Sequence, residues 1–294
     1  MKIFLVGYNP DKVGGGWSFI DNFKKGNWKI VDNPEDCDIY FITSVSMLDK
    51  VSQIPFGEKK VVLRIDNVLK DSNNGRIYGL DGGDKITRME SLKQVAQKAD
   101  YIIYQSKWAE GYLKPFLGDL VGKQRVIING SDDELFNPEG GKLPSDYRPV
   151  YLYVRSSNHD NKGWHIAWYE FQKIYRENKR AILWIAGRFS PENLEHNFDF
   201  FNGENWKYWG YVKDKEMMAL LMRSSNYLLF PFFNDACSQT LIEAYLSGLS
   251  IKYLAGGLSG GSPEIRNTIQ TGGREALSYK VMNRKYWEAF NELL

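Results

Sequence analysis

The chain alternates between short hydrophobic runs and longer polar stretches, and this alternation predicts its elements. In the first half, the hydrophobic runs are residues 3–6, 39–42, 61–65, 101–104 and 126–128. Short, mainly apolar runs of this kind are typical of parallel strands that crossover helices bury on both faces, and the polar stretches between them fit such helices. The pattern therefore predicts a Rossmann-like α/β domain over residues 1–137.

The second half repeats this pattern. Its apolar runs are residues 150–154, 181–186, 227–230 and 250–254, separated by helical patterns at 165–176, 214–223 and 238–247. Between the halves, Pro138, Pro144 and Pro149 exclude a helix or a central strand. We therefore predict a linker at 138–149 and a second Rossmann-like domain at 150–282. Two such domains are expected to face each other across a cleft, with ligands at the carboxyl ends of the strands.

The amphipathic pattern at residues 283–294 predicts a terminal helix, which we expect to pack back towards the first domain. The strongest apolar stretch, residues 227–233, is far shorter than the roughly 20 residues that cross a membrane. The sequence enters a strand-like run at once, so no secretory leader is expected. Its two cysteines, Cys37 and Cys237, lie far apart, which favours a reducing, cytoplasmic location.

Charge and composition restrict the partners. Lys and Arg number 38 against 36 Asp and Glu, and this formal net charge of +2 is too small to imply a nucleic-acid surface. There is neither an Asp-x-Asp pair at a strand end nor a His and carboxylate cluster that would suit a cation. We expect no nucleic acid, no metal and at most peripheral contact with a membrane.

A glycine-rich turn follows the first predicted strand. Gly15 and Gly16 lie just before a helix-compatible run at residues 18–25. Glycines let the backbone approach a diphosphate, and a helix start presents N–H groups to it. The spacing is not that of the G-x-G-x-x-G fingerprint, which argues against a dehydrogenase, and a plain flexible turn stays an alternative.

Two cations follow the strand that opens the second domain. Arg155 comes directly after residues 150–154, and Lys162 precedes the next helical pattern. Such side chains can converge on one phosphate group from opposite sides. Ordinary surface cations on a loop are the alternative.

Two acids flank a predicted helix start after residues 227–230. Ser238 is a natural N-cap, so the backbone amides of Ser238, Gln239 and Thr240 would stand at a positive helix end, with Asp235 in the preceding loop. Glu243 falls in the first turns of the helix, where a carboxylate can bridge two vicinal hydroxyls. As an alternative, both acids are ordinary solvated residues.

These segments and four others stand in a characteristic order. The others are INGSD with FNP at 128–138, LWIAG at 183–187, WGYV at 209–212 and GGSPE at 260–264. The ordered set resembles the retaining glycosyltransferases of GT-B fold, in the large group 1 family of sucrose synthases, bacterial mannosyltransferases and polysaccharide-assembly enzymes. The resemblance runs through nearly the whole chain.

The resemblance implies roles for individual residues. Arg155 and Lys162 would hold the diphosphate of a nucleotide-sugar donor, together with the amides of Gly15, Gly16 and the helix start at Ser238. Asp235 would contact the donor sugar, and Glu243 the ribose. The remaining donor-site residues come from the segments that resemble the nucleoside pocket: Gly187, Tyr211 and Val212.

The sequence departs from the family pattern at two places. The first acid is Asp235 where Glu is usual, a variation that one branch of the family shares. The first domain commonly supplies a His to the reaction centre, yet all three histidines here lie in the second domain. Asp66, in a segment that resembles an Arg-x-Asp-Gly motif, is the proposed catalytic substitute, although it can equally be a loop cap.

The resemblance implies a hexosyltransferase that moves a sugar from a UDP- or GDP-linked donor to a glycan, lipid-linked or small-molecule acceptor. It implies retention of configuration and no required cofactor. Two alternatives stay open: a nucleotide-sugar-binding protein with little transfer activity, and an enzyme of the same fold that epimerises or phosphorolyses a sugar.

Overall fold

A computed structural model of the chain describes residues 1–6, 15–43, 56–65, 82–155, 162–189, 205–232, 234–254 and 258–294, with only the backbone at 15–17 and 82–88. Within these ranges, no helix is both long enough and apolar enough to span a bilayer.

The described elements alternate between strands and helices. The strands are β1 (Lys2–Val6), β2 (Lys29–Val31), β3 (Ile39–Ile42), β4 (Lys60–Ile65), β5 (Tyr101–Tyr104), β6 (Lys123–Val126), β7 (Val150–Arg155), β8 (Ile182–Gly187), β9 (Trp206–Tyr208), β10 (Tyr227–Phe230) and β11 (Ser250–Tyr253). The helices are α1 (Gly15–Phe23), α2 (Gly82–Lys98), α3 (Lys107–Leu117), α4 (Trp164–Glu177), α5 (Lys215–Ser224), α6 (Gln239–Leu246), α7 (Ser262–Gly272) and α8 (Tyr279–Asn291).

The chain divides into two compact units, each with one sheet. The first comprises Met1–Ser131, Asp235–Gln239 and Gly260–Leu294, and the second comprises Asp132–Asn234 and Thr240–Ser259. The first sheet has the order β2-β1-β3-β4-β5-β6 and the second the order β11-β10-β7-β8-β9. Every strand pair in both is parallel, so the predicted pair of Rossmann-like α/β sheets is confirmed. The domain boundaries proposed from the sequence stay a prediction.

Alternate residues of the first sheet enter two different cores. Along β4, Val61, Leu63 and Ile65 pack in one core with α2 and α3, whereas Val62 packs in the other with α1 and α8. Successive side chains of a strand point to opposite faces, so a strand covered on both sides needs apolar residues throughout. This requirement produces the unbroken apolar runs of the sequence.

The short edge strands differ from the prediction. The strand expected at residues 126–128 is β6, which begins at Lys123 and ends at Val126. It pairs only with β5, and its side chains are exposed or half-buried, so polar residues are tolerated there. The three-residue strands β2 and β9 were missed for the same reason, because edge strands carry little hydrophobic signal.

In the second unit, the predicted linker runs without a helix or strand and is tied down by hydrogen bonds. Just before the linker, the carbonyls of Leu135 and Asn137 accept from the Arg223 guanidinium of α5, each at 3.0 Å. The Leu143 N–H donates to the Ser224 hydroxyl at 2.8 Å. The backbone groups of this irregular segment therefore find partners on α5.

Helix α8 covers one face of the first sheet. It starts at Tyr279, earlier than predicted, because the Ser278 hydroxyl caps it by accepting from the Lys280 N–H at 3.2 Å. Phe290 is fully buried, with ring centroids 5.4 Å from Phe41 and 6.1 Å from Phe23. The last helix of the sequence is thus part of the first unit's core.

This packing gives a stability prediction. Phe290→Ala should lower the free energy of unfolding by about 3–5 kcal/mol, because it removes a buried ring and leaves a cavity. Denaturant unfolding monitored by circular dichroism measures the change. Leu294→Ala is the control, since Leu294 is 65% exposed and its truncation should change stability by less than about 0.5 kcal/mol. Equal effects of the two substitutions would contradict the packing.

Candidate active site

The candidate residues are divided between the two units. The second unit contains Arg155, Lys162 and Gly187, together with Tyr211 and Val212 after β9. The first unit contains the loop from Asp235 to Gln239. Both groups lie where strands end or helices begin, which are the places where an α/β sheet binds ligands.

Arg155 is the last residue of the central strand β7 and is almost fully buried. Its guanidinium lies over the Phe189 ring, 4.6 Å from the centroid. Burial raises the pKa of the Tyr153 and Tyr208 phenols, and Arg155 partly offsets this effect on both. The cation therefore sits in an aromatic environment of neutral hydroxyls, where its field is weakly screened.

Lys162 is held near the same strand end. The Tyr153 hydroxyl donates to the Lys162 carbonyl at 2.8 Å, and the Lys162 ammonium lies 4.6 Å from the centre of the Phe232 ring, just beyond β10. Gly163 follows at the start of α4 with φ +62°, and a Cβ there would come within 2.8 Å of the Pro231 side chain. Gly163 is thus required by a left-handed turn packed against the end of β10.

Gly187 is also required by geometry. It pairs with Arg155 across β7 and β8, and a Cβ at Gly187 would lie 2.2 Å from the Arg155 carbonyl oxygen. Its N–H donates to the Gly210 carbonyl, and its carbonyl accepts from the Tyr208 hydroxyl, both at 2.8 Å. The predicted glycine therefore brings the ends of three neighbouring segments together.

Tyr211 and Val212 follow β9 and are half-buried. The exposed Arg188, directly after Gly187, places its guanidinium 4.1 Å from the centre of the Tyr211 ring. Arg188 was not among the donor-site residues predicted from the sequence. The signal that could have found it is its position, since it is a cation directly beyond a buried strand.

The loop before α6 is a tight turn in the first unit. The Asp235 carboxylate accepts from the Cys237 N–H at 3.1 Å, and the Asp235 carbonyl accepts from the Gly261 N–H at 2.8 Å. Helix α6 begins at Gln239, so Ser238 directly precedes it, at the position predicted for the cap. Ser238 itself is buried.

Helix α6 carries the other candidate groups. Gln239 is buried, and its side-chain amide donates to the Gly130 carbonyl at 3.4 Å. Thr240 and Glu243 are half-buried and lie three residues apart, which places them on one face of the helix.

The GGSPE segment braces this loop. The Glu264 carboxylate accepts from the backbone N–H groups of Lys107 and Trp108, both at 2.9 Å, and so caps α3. A Cβ at Gly261 would lie 2.0 Å from the Ala236 carbonyl oxygen. In this structure the segment joins α7 and α3 to the Asp235 loop.

The first-domain candidates are only partly described. Gly15 and Gly16 are the first two residues of α1, so the helix starts three residues before the predicted run. Asp66, the proposed catalytic substitute, lies outside the described residues. Among the side chains that are described, no group of three or more His, Cys, Asp or Glu could hold a metal ion.

The fold matches solved glycosyltransferase structures along nearly the whole chain. The sucrose-phosphate synthase of Thermosynechococcus elongatus matches with a TM-score of 0.70 at 14% identity, over 99% of this chain and 98% of that one. A glycosyltransferase from Rickettsia africae matches with a TM-score of 0.65 at 14% identity, over the same shares. The pneumococcal O-GlcNAc transferase GtfA, in complex with UDP and GlcNAc, matches with a TM-score of 0.63 at 12% identity, over 86% of this chain and 56% of that one.

No protein-family model matches the chain, and no curated protein is significantly similar to it in sequence. The structural matches show that the chain has the GT-B fold, as its motif order predicted. At identities of 12–14% they show the fold and not the activity.

The geometry of the loop also predicts the behaviour of its thiol. Burial raises the pKa of Cys237 to about 12 from an ordinary value of 9.0, so the folded protein holds this proton more tightly than the unfolded chain. The thiol's contribution to stability is therefore complete below about pH 9 and is lost as the pH rises towards 12. We expect Cys237 to resist iodoacetamide at pH 8–9 in the native protein and to react readily in guanidinium chloride, because the thiolate is the nucleophile.

Mass spectrometry of the alkylated peptides measures this reaction. The buried thiol of Cys37, whose pKa burial also raises, provides an internal comparison. Rapid native alkylation of Cys237 at pH 8 would contradict the buried loop.

Proposed function

We propose that this protein is a retaining glycosyltransferase that moves a hexose-type sugar from a nucleoside-diphosphate sugar to an acceptor hydroxyl. The observation that carries the proposal is the pair of cations at one strand end, Arg155 and Lys162, linked through the Tyr153 hydroxyl. Two cations held beside neutral aromatic groups suit a diphosphate, because little water competes for their field.

Each part of the nucleotide-sugar donor is assigned its own binding residues. Arg155 and Lys162 bind the diphosphate, and the backbone amides of Ser238, Gln239 and Thr240 at the start of α6 add N–H donors. Asp235 contacts the sugar, and Glu243 bridges the ribose hydroxyls. Glycine amides of the α1 start, at Gly15 and Gly16, complete the phosphate contacts.

The nucleoside pocket is assigned to the segments beyond β8 and β9. Gly187 allows the close approach of backbone segments there, and Tyr211 and Val212 offer half-buried surface for a base. Arg188 stacks on Tyr211 and is positioned to meet the base or its ribose.

The proposed reaction is a displacement on one face of the sugar. The bond between the anomeric carbon and the diphosphate oxygen breaks, and a bond from the same carbon to the acceptor oxygen forms on the same face. The acceptor proton passes to the departing diphosphate. Arg155 and Lys162 stabilise the charge that develops on this leaving group, so the residues assigned here accomplish the step without a protein nucleophile.

The donor base is the first property to determine. The pneumococcal enzyme of this fold was solved with UDP and GlcNAc, so UDP is the first candidate and GDP the second. A thermal-shift screen against nucleoside diphosphates should name the base, because a ligand that binds the folded state raises the melting temperature.

Radiolabelled nucleotide sugars with candidate acceptors then distinguish the reactions. Transfer with retained configuration supports the proposal. Tight donor binding with neither transfer nor hydrolysis would indicate a binding protein, an outcome in keeping with three histidines that all lie outside the proposed first domain. Release of a free epimer or of a sugar 1-phosphate would indicate the other reactions.

The phosphate site gives a quantitative prediction. Arg155→Ala and Lys162→Ala should each weaken diphosphate binding by about 1.5–3 kcal/mol, the loss expected for a charge-assisted contact. Isothermal titration with the nucleoside diphosphate found in the screen measures the change.

Lys173→Ala is the matched control for Lys162→Ala. Lys173 also lies over an aromatic ring, 4.6 Å from the centre of Tyr169, but it is on the exposed surface of α4. Its loss should leave diphosphate affinity unchanged. Wild-type affinity in both Arg155→Ala and Lys162→Ala would remove the proposed site.

A further inference from the structure

Arg64, in the first unit, is a buried cation that the donor-site roles do not use. It is 1% exposed, near the carboxyl end of β4. No carboxylate pairs with it among the residues that the structure describes, and its Nε atom has no hydrogen-bond partner there. A buried guanidinium is costly unless its hydrogen bonds are satisfied, so its contacts indicate what it does.

These contacts fix the Arg64 guanidinium in one orientation. One terminal nitrogen donates to the Thr43 carbonyl at 2.7 Å, and the other donates to Oδ1 of Asn129 at 3.0 Å. The flat face lies 3.6 Å from the centre of the Phe19 ring. The planar fork therefore joins the end of β3 to the segment that follows β6.

Arg64 also decides which way the Asn129 amide faces. Because a guanidinium only donates, it must meet the amide oxygen, and the NH₂ group of Asn129 points the other way. This NH₂ donates to Oε1 of Gln105 at 2.8 Å and to the carbonyl of Cys237 at 3.4 Å. Gln105 in turn donates to the Ile65 carbonyl at 3.0 Å.

The backbone of Asn129 also contacts Cys237, at its thiol. Burial raises the pKa of the Cys237 thiol, and the backbone N–H of Asn129 acts in the opposite direction because it lies beside the sulfur. The next residue, Gly130, accepts from the Gln239 side chain at 3.4 Å. The segment at Asn129 thus contacts the middle of the Asp235–Gln239 turn, at Cys237, and its end, at Gln239, where α6 begins.

We propose that Arg64 and Asn129 are positioning residues: they hold the Asp235–Gln239 loop in the geometry that the donor sugar requires. The proposal rests on the proposed function, since that function gives Asp235 the donor sugar. Neither residue touches the substrate. A displacement of about 1 Å at a reacting group can reduce a rate by about 100-fold, so a loop of this kind needs support from behind.

The main test is Asn129→Asp. This change keeps the size of the side chain and gives Arg64 a carboxylate partner. It also replaces the NH₂ group, which donates to Gln105 and to the Cys237 carbonyl, with an oxygen that can only accept. Arg64→Met removes the orienting fork. We expect both variants to fold and to release the loop.

The alkylation rate of the Cys237 thiol measures whether the Asp235–Gln239 loop is held in place. The sequence has two cysteines, and the other one, Cys37, lies in a core cluster of the first unit that does not include Cys237. In Asn129→Asp and Arg64→Met, native alkylation of Cys237 should rise at least about 10-fold relative to Cys37, because an opened loop exposes the thiol and restores its ordinary reactivity.

The control is Leu113→Ala, which weakens the core that contains Cys37 and leaves the Arg64 contacts intact. It should raise the alkylation of Cys37 and not that of Cys237. A general loss of stability would raise both together in all three variants and would overturn the proposal.

Kinetics supply the second measurement. With the loop displaced, kcat should fall about 10- to 100-fold, whereas nucleoside-diphosphate affinity should fall less than in Arg155→Ala or Lys162→Ala, because the loop amides move but the two cations of the second unit do not. Arg64→Lys keeps the charge but not the fork, so it should resemble Arg64→Met. Unchanged Cys237 alkylation, or raised alkylation with an unchanged kcat, would overturn the positioning role.

The two proposals fail in different ways. A wild-type protein that binds and transfers no nucleotide sugar would overturn the proposed function. The alkylation of Cys237 in Asn129→Asp would still decide whether Arg64 and Asn129 hold the loop.

Discussion

Both faces of the first parallel sheet are covered by helices, and this constraint decides where chemistry can be placed. A strand that is buried on both sides accepts polar side chains only at its ends, where the backbone leaves the sheet. In the described residues, Arg64 lies near the end of β4 and Arg155 ends β7. Each cation therefore lies at or next to the end of a buried strand and is poorly solvated.

The two arginines solve the same energetic problem with similar contacts. Both are nearly fully buried, and both rest on a phenylalanine ring, at 3.6 Å for Arg64 and 4.6 Å for Arg155. Such contacts offset part of the desolvation cost, by about 0.5–2 kcal/mol each. They differ in position: the terminal nitrogens of Arg64 donate to Thr43 and Asn129, whereas Arg155 lies beside the segments to which the nucleoside pocket is assigned.

Much of the fold could be predicted from the sequence, because strands that are buried on both faces form recognisable runs of apolar residues. The central strands were predicted from this pattern, whereas the GT-B fold was predicted from the order of the motifs that resemble the family; the donor-site residues stay a prediction. The edge strands β2, β6 and β9 gave weak signals because they are half-buried. The roles of Asn129 and Glu264 could not be predicted, since each depends on a contact more than 100 residues away along the chain.

The first unit is discontinuous in sequence, because it takes Gly260–Leu294 from the far end of the chain. Helix α8 supplies Tyr286 and Phe290 to a core whose strands all lie more than 150 residues earlier in the chain. On the ribosome, the face of the first sheet that α1 and α8 cover together stays partly exposed until α8 has emerged. Assembly of the nascent protein therefore cannot proceed strictly from the amino end, and the long wait favours protection of that face by a chaperone.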